Sequence, residues 1–324
     1  MESDKLQIAY FPYLFLNRYK SIQFLDFTVW NFKEFILRIG NEALKDKIRT
    51  LIAQNQISGR PIEDVGIIDI RGRDNFRPLT DIEIKRCNEL RVVLFLAGIA
   101  KCNTDEGYNA GHSTLTSDNF KMLFQNFRLD SLYTGYTIGG IVRHSDYGYK
   151  ISEIKYEKPN YVLKNPFSFQ ENYLQKLVRL RNKNRKLYRL IIRATDAIMN
   201  AYSNSEDVSH ESRILEMCRA FEILFQLPES QQRKSFKESI QKYCEPPKNR
   251  RWRYASERLA KKRESETGSQ HVIWADRFYT LRNHIIHGEN IRKSEFSYRK
   301  QPHFQIGLWF FLIAVKRIIN EALG

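Results

Sequence analysis

Near the C-terminal end of the chain, a guanidinium, an amide and an imidazole lie close together in a segment of helical character. The segment runs from Leu281 to Gly288 and places Arg282, Asn283 and His287 in the spacing R-x4-H. An imidazole titrates near neutral pH and can act as a general base or acid. A guanidinium presents a rigid set of donors to a phosphate, and Asn283 could donate to a phosphate oxygen or hold His287 in one tautomer. These residue types suit the cleavage of a phosphodiester.

Cleavage of RNA by its own 2′-hydroxyl requires three kinds of group. A base must lie near the hydroxyl, an acid near the leaving 5′ oxygen, and positive charge near the developing phosphorane. His287 suits the first or second role, and Arg282 suits the third. The products would be a 2′,3′-cyclic phosphate and a 5′-hydroxyl, and DNA would be inert because it lacks the nucleophile. The reaction needs no metal ion or cofactor, and we expect neither.

Helical geometry limits how one chain could use this pair. Five residues of a regular helix rotate by about 500°, so Arg282 and His287 would lie about 140° apart around the axis. Either the last turn deforms near Gly288, or two protomers converge on one scissile bond. A simpler interpretation is that His287 compensates the helix dipole while Arg282 lies on a solvated face.

A second pair of residues has a related spacing. Arg277 and His284 satisfy R-x6-H, but Asn283 and the glycine stop favour the pair Arg282 and His287. His284 is therefore expected to be a neighbour of the site.

The segment and an upstream helix together resemble a known family. R-x4-H with a polar residue after the arginine resembles the defining motif of the HEPN family. The sequence RAFEILF, from Arg219 to Phe225, is similar to the LE-x-LF helix of the Apea-like HEPN branch. The resemblance covers about residues 170–324, and residues 1–160 resemble no family that we can name.

The resemblance implies a metal-independent endoribonuclease whose site forms where two HEPN domains meet. It also implies an effector role in a bacterial antiviral defence or toxin system. Glu222 is expected either to orient Arg282 as a buried acid or to be an exposed helix charge. Some HEPN proteins have a tyrosine two residues after the motif histidine, where nucleotides are attached, but this chain has Glu289. That difference weakens the idea of a toxin neutralised at such a tyrosine.

Hydrophobic periodicity predicts an α+β N-terminal domain, residues 1–160, and an all-α HEPN-like helical bundle, residues 161–324. In the first domain we expect strands at 6–16, 22–32 and 65–70, a helical segment at 35–54 that is interrupted by Gly40, and a helix at 80–101. In the second we expect helices at 171–201, 210–227, 229–243, 249–264, 271–287 and 303–323.

The basic charge is concentrated in the predicted helical domain. Of the formal charge of +16, residues 161–324 account for +14. Such an excess favours a polyanionic partner. Two basic runs, 176–193 and 248–263, are candidate RNA-binding segments, although a run of this kind can also be a solubilising face. The residues singled out for RNA binding are Arg181, Arg185, Arg189, Arg250, Arg251, Trp252 and Arg253, the tryptophan as a platform for base stacking.

Cysteine usage and hydropathy exclude several other classes of protein. The four cysteines stand far apart without zinc-ligand spacing, so we expect reduced thiols, no metal site and a cytoplasmic location. The apolar run 307–315 is too short to cross a bilayer and is expected to form a buried helix. Expected partners are RNA, with tRNA as a candidate, a second copy through the C-terminal domain, and a trigger or inhibitor of the N-terminal domain. The alternatives are a non-catalytic RNA- or protein-binding module and an adaptor for an acidic partner.

Overall fold

The structure is a computed structural model of the chain. It describes residues 6–16, 19–62, 65–73, 76–102, 116–130, 134–138, 141–143, 156–158, 167–203, 208–244 and 270–324. An N-terminal region built on an antiparallel sheet precedes a helical C-terminal region. Two compact units divide between Val178 and Arg179. The expected boundary between residues 160 and 161 lies outside the described residues.

A seven-stranded antiparallel sheet forms the centre of the first unit. Its order is β2-β3-β6-β1-β7-β8-β9. The strands are β1 Leu6–Phe11, β2 Ser21–Phe24, β3 Phe27–Asn31, β6 Gly66–Ile70, β7 Leu123–Phe127, β8 Thr134–Ile138 and β9 Ile141–Arg143. The short strands β4 Asn55–Ile57, β5 Arg60–Pro61 and β10 Tyr156–Glu157 form a separate three-stranded sheet. The predicted strand at 65–70 is confirmed as β6.

The expected single strand at 22–32 is wrong, because this segment holds two strands. β2 and β3 pair as a hairpin in which Phe24 lies opposite Phe27. Leu25 adopts a left-handed conformation, with φ 56°, and reverses the chain. The run of apolar residues continues through this turn, so hydrophobicity alone does not reveal it.

The helical segment expected at 35–54 is two helices, α1 Phe32–Leu37 and α2 Glu42–Ala53, and the break between them includes Gly40, where an interruption was expected. Asn41 caps α2 by accepting from the backbone N–H of Leu44 at 3.0 Å. α3, Asp81–Cys102, begins where the sequence predicts. Its start is a capping box in which Thr80 and Glu83 exchange hydrogen bonds between side chain and backbone.

The second unit is helical. Its helices are α4 Glu171–Lys183 (whose first part belongs to the first unit), α5 Arg185–Ala201, α6 His210–Phe225, α7 Gln232–Cys244, α8 Gln270–Ile286 and α9 His303–Leu323. β11 Ser297–Tyr298 and β12 Gln301–Pro302 form a small hairpin before α9. The expected helix at 303–323 is confirmed, and the expected helix at 249–264 lies outside the described residues.

The long helix expected at 171–201 is wrong, because it ends and restarts at Asn184. The Asn184 side chain accepts from the backbone N–H of Leu187 at 3.0 Å and so caps α5. The hydrophobic period passes through this cap unchanged. A pattern of apolar spacing therefore does not report the break.

Buried aromatic rings form the core of the helical unit. Its largest members are Phe221 of α6, Phe236 of α7, Trp274 and Phe278 of α8, and Phe310 and Phe311 of α9, each at most 1% exposed. The run 307–315 is mostly buried in α9, as expected. Gly307 allows a close approach to α6, since a Cβ there would lie 3.0 Å from Met217. None of the helices in the described ranges has the length and hydropathy needed to span a membrane.

Candidate functional site

The C-terminal end of α8 positions the R-x4-H motif. The backbone remains helical through His287, whose N–H donates to the Asn283 carbonyl at 3.0 Å. Gly288 then takes a left-handed conformation, with φ 68°. Its N–H donates to Ile285, and the N–H of Glu289 donates to His284. These two bonds form a Schellman motif, which confirms the predicted glycine stop.

A regular last turn decides one question that the sequence leaves open. Since the helix does not deform before Gly288, Arg282 and His287 project about 140° apart around its axis. His287 is exposed, and its imidazole makes no hydrogen bond or ion pair with the described residues. Within one chain, the two motif side chains do not converge.

Arg282 faces α6, in contrast to His287. Its Nη2 donates to Glu222 Oε1 at 3.2 Å, and its Nη1 donates to Asn283 Oδ1 at 3.1 Å. The guanidinium carbon lies 5.3 Å from the centroid of the Tyr279 ring. The Arg282 and Glu222 side chains are 22% and 25% exposed, so the ion pair is half-buried with one side open to solvent. Of the two interpretations of Glu222, the structure favours the acid that orients Arg282.

Two residues not singled out in the sequence complete this cluster. The Tyr279 hydroxyl lies 3.1 Å from Glu222 Oε1 and 2.7 Å from Gln232 Oε1. A phenol donates a single proton, so only one of these oxygens accepts it at a time. Tyr279 precedes Arg282 by three residues on α8, a spacing that places them on one helix face and could have indicated it. Gln232 lies at the start of α7, and nothing in the neighbouring sequence indicates that it belongs to this cluster.

Burial affects the pKa values of two groups in or near this cluster, Tyr279 and Cys218. Burial raises the pKa of the Tyr279 hydroxyl, and the Glu222 carboxylate raises it further. Burial also raises the pKa of the Cys218 thiol, with a smaller contribution from Glu222. Both groups therefore remain protonated at neutral pH, and the charges of the cluster are those of Glu222 and Arg282.

Asn283 contacts Arg282, whereas His284 does not. The Oδ1 atom of Asn283 accepts from Arg282, and no hydrogen bond of its side chain reaches His287 in the described part of the chain. His284 lies between two carboxylates, with Nε2 3.7 Å from Glu289 and Nδ1 3.9 Å from Glu295. His284 is thus a neighbour of the motif with partners of its own.

The first basic run is divided between α4 and α5. Arg185 and Arg189 are exposed on α5, whereas Arg181 is half-buried at the end of α4 and has a partner. The second run, with Arg250, Arg251, Trp252 and Arg253, lies outside the described residues. Among the described residues, the structure thus brings Arg282, Asn283 and Glu222 together, but not His287, Arg185 or Arg189.

Comparison with protein-family models, curated proteins and solved structures gives no match. The family resemblance therefore depends on the motif residues alone.

Proposed function

We propose that this protein is a metal-independent endoribonuclease of HEPN type. The observation that supports it is the arrangement at the end of α8. Arg282 is oriented by Glu222 and Asn283, and five residues later His287 projects into solvent with no partner in the described chain. An oriented cation supplies the positive charge, and a free imidazole supplies one of the two proton-transfer groups, that cleavage by the 2′-hydroxyl requires.

In this reaction the 2′-oxygen attacks the adjacent phosphorus. A base removes the 2′-hydroxyl proton as the new O–P bond forms, and an acid protonates the 5′ oxygen as the old P–O bond breaks. His287 fills one of these roles. Arg282 donates to the non-bridging oxygens, whose charge grows toward the phosphorane. Asn283 directs its amide toward the same phosphate.

The divergence of Arg282 and His287 supports a dimeric site. One straight helix cannot direct both groups at the same phosphorus, but two copies of α8 could present four groups around it. His287 of one copy would then serve as base and that of the second copy as acid. We therefore propose a homodimer through the helical region.

The resemblance extends the proposal to a biological setting. We propose that the enzyme is an effector of a bacterial antiviral defence or toxin system that degrades RNA, with tRNA as the first candidate substrate. The N-terminal region would sense a trigger or bind an inhibitor.

End mapping tests the proposed chemistry directly. Incubation of total RNA with the full chain in EDTA is expected to give fragments with 2′,3′-cyclic phosphates and 5′-hydroxyls, because the nucleophile is the substrate's own hydroxyl. DNA of the same sequence should remain intact. Fragments with 5′-phosphates, or cleavage that EDTA abolishes, would contradict the proposal.

The second candidate function is a non-catalytic module that binds RNA or a protein. One observation favours it: both terminal nitrogens of Arg282 already have partners within the chain, and the Glu222 carboxylate offsets its charge. In that case Arg282 stabilises the packing of α6 on α8 and does not act on a phosphate.

Substitution of Glu222 separates the two candidates. If Glu222 positions a catalytic Arg282, Glu222→Ala should lower the cleavage rate about 10- to 100-fold, because small displacements of a catalytic group have effects of this size. Glu222→Gln retains an acceptor oxygen and should lower the rate less. Initial rates at saturating RNA measure the effect.

The control for this prediction is Glu216→Ala, on the same helix, whose ion pair with Arg219 lies outside the cluster. It should leave the rate unchanged. If all three variants cleave at the parental rate, Glu222 does not position a catalytic group. If the parent protein binds RNA without cleaving it, the second candidate is favoured.

A further inference from the structure

The exposed face of α5 forms a stripe of four cations, Arg185, Lys186, Arg189 and Arg193, which we call the α5 stripe. All four side chains are exposed. With 100° of rotation per residue, the four lie within an arc of about 100° around the helix, and they span about 12 Å along its axis. The stripe is therefore a continuous cationic surface on one side of one helix.

Within the described ranges, none of the four cations is neutralised by an acid. No ion pair or hydrogen bond of their side chains is formed there, and the sequence contains no acid between Glu171 and Asp196. Asp196 itself is half-buried and has a partner of its own. With respect to the described part of the chain, the positive charge of the stripe is therefore available to a ligand.

The helix dipole does not explain the first two of these cations. Basic residues are favourable in the last turn of a helix, as are Arg181 and Lys183 in α4. Lys183 in addition donates to the Leu323 carbonyl at 3.2 Å. Arg185 and Lys186 instead occupy the first turn of α5, which contains no acid and where the helix dipole disfavours positive charge.

The composition of the stripe indicates phosphate as its ligand. Three of the four residues are arginines, whose planar donor fork matches a phosphate in two-point contact. The aromatic residues Tyr173 and Tyr188 of α4 and α5 are buried and cannot stack on bases. A stripe of about 12 Å can contact more than one phosphate of a single strand.

We propose that the α5 stripe binds the phosphate backbone of single-stranded RNA without reading its bases. This inference rests on the proposed function for the identity of the polymer. Recognition of the 2′-hydroxyl then belongs to the Arg282–His287 site and not to the stripe. DNA should consequently bind the stripe, resist cleavage and compete with RNA.

Binding assays with matched charge variants test the proposal. The His287→Ala chain serves as the background, so that RNA remains intact. Labelled oligouridylate and oligodeoxyuridylate of equal length are titrated by fluorescence anisotropy at several salt concentrations. The stripe variant carries Arg185→Gln, Arg189→Gln and Arg193→Gln, and the control carries Arg49→Gln, Lys85→Gln and Arg128→Gln, three exposed cations of the first unit.

The stripe variant should bind both oligonucleotides at least tenfold more weakly than the control. The slope of log affinity against log salt should become shallower by about 2, because each phosphate contact on a single strand contributes about 0.7. The factor by which affinity falls should agree within about threefold for the two oligonucleotides. Unchanged circular dichroism melting of the stripe variant shows that its fold is intact.

Three results would overturn the inference. The first is equal binding by the stripe variant and the control. The second is a loss of binding in the stripe variant that affects the RNA but not the DNA oligonucleotide. The third is stripe-dependent binding of polyglutamate in the absence of RNA binding, which indicates an acidic protein partner. Stripe-dependent binding by a parent protein that cleaves no RNA would instead contradict the proposed function alone.

Discussion

Replacing His287 by alanine is expected to lower the rate of RNA cleavage by a factor of about 10² to 10⁴, the range that a general acid or base contributes. The fold should be unaffected, because the imidazole is exposed and has no partner in the described chain. The helix stop uses backbone groups and Gly288. Initial rates in EDTA and thermal melting of the same samples measure the two effects.

His284→Ala is the matched control, since it removes the same side chain three residues earlier on α8. Its neighbours Glu289 and Glu295 are exposed and remain solvated, so cleavage should stay within about threefold of the parental rate. Cleavage by His287→Ala at the parental rate would refute the assignment of the site. If His284→Ala loses cleavage and His287→Ala does not, the active site would be assigned to Arg277 and His284 instead.

The second large effect is expected on stability, at Phe221. Its side chain is fully buried in the ring cluster of the helical unit. Its ring centroid lies 5.3 Å from that of Phe236, 6.0 Å from that of Phe311 and 6.4 Å from that of Trp274. Phe221→Ala should therefore lower the free energy of unfolding by about 3–5 kcal/mol, from lost burial and the cavity left behind.

Phe225→Ala, one turn later on α6, is the control for this prediction. Its ring stacks on Tyr243 at 5.6 Å but is only half-buried, so the loss should be less than half that of Phe221→Ala. Urea unfolding followed by far-ultraviolet circular dichroism gives both values. Equal losses would show that the cluster around Phe221 is not the centre of the core.

Three helix ends set by local hydrogen bonds were predictable from the sequence. Ser209 caps α6 by accepting from the N–H of Ser212 at 3.1 Å, and Thr80 with Glu83 begins α3. Gly288 ends α8 in a left-handed conformation. Each of these signals involves residues within a few positions of one another, so no tertiary information is needed to recognise it.

Breaks inside continuous apolar patterns were not predicted. Asn184 divides the expected helix at 171–201, and the turn at Leu25 divides the expected strand at 22–32. In both places the hydrophobic spacing continues across the break, because the elements on either side bury apolar faces of their own. Periodicity reports which faces are buried and not where the backbone hydrogen bonding changes.

The sequence by itself determined the R-x4-H spacing, the place where its helix ends and the concentration of positive charge in the C-terminal half. Only the tertiary structure decided that Glu222 pairs with Arg282, since their contact joins residues 60 positions apart and requires α6 to pack on α8. It also decided which cations have a partner. Lys183 donates to the Leu323 carbonyl, whereas the exposed cations of α5 have no partner among the described residues. Spacing along a chain sets which groups share a helix face, whereas packing between helices sets which of them meet a partner and which meet solvent.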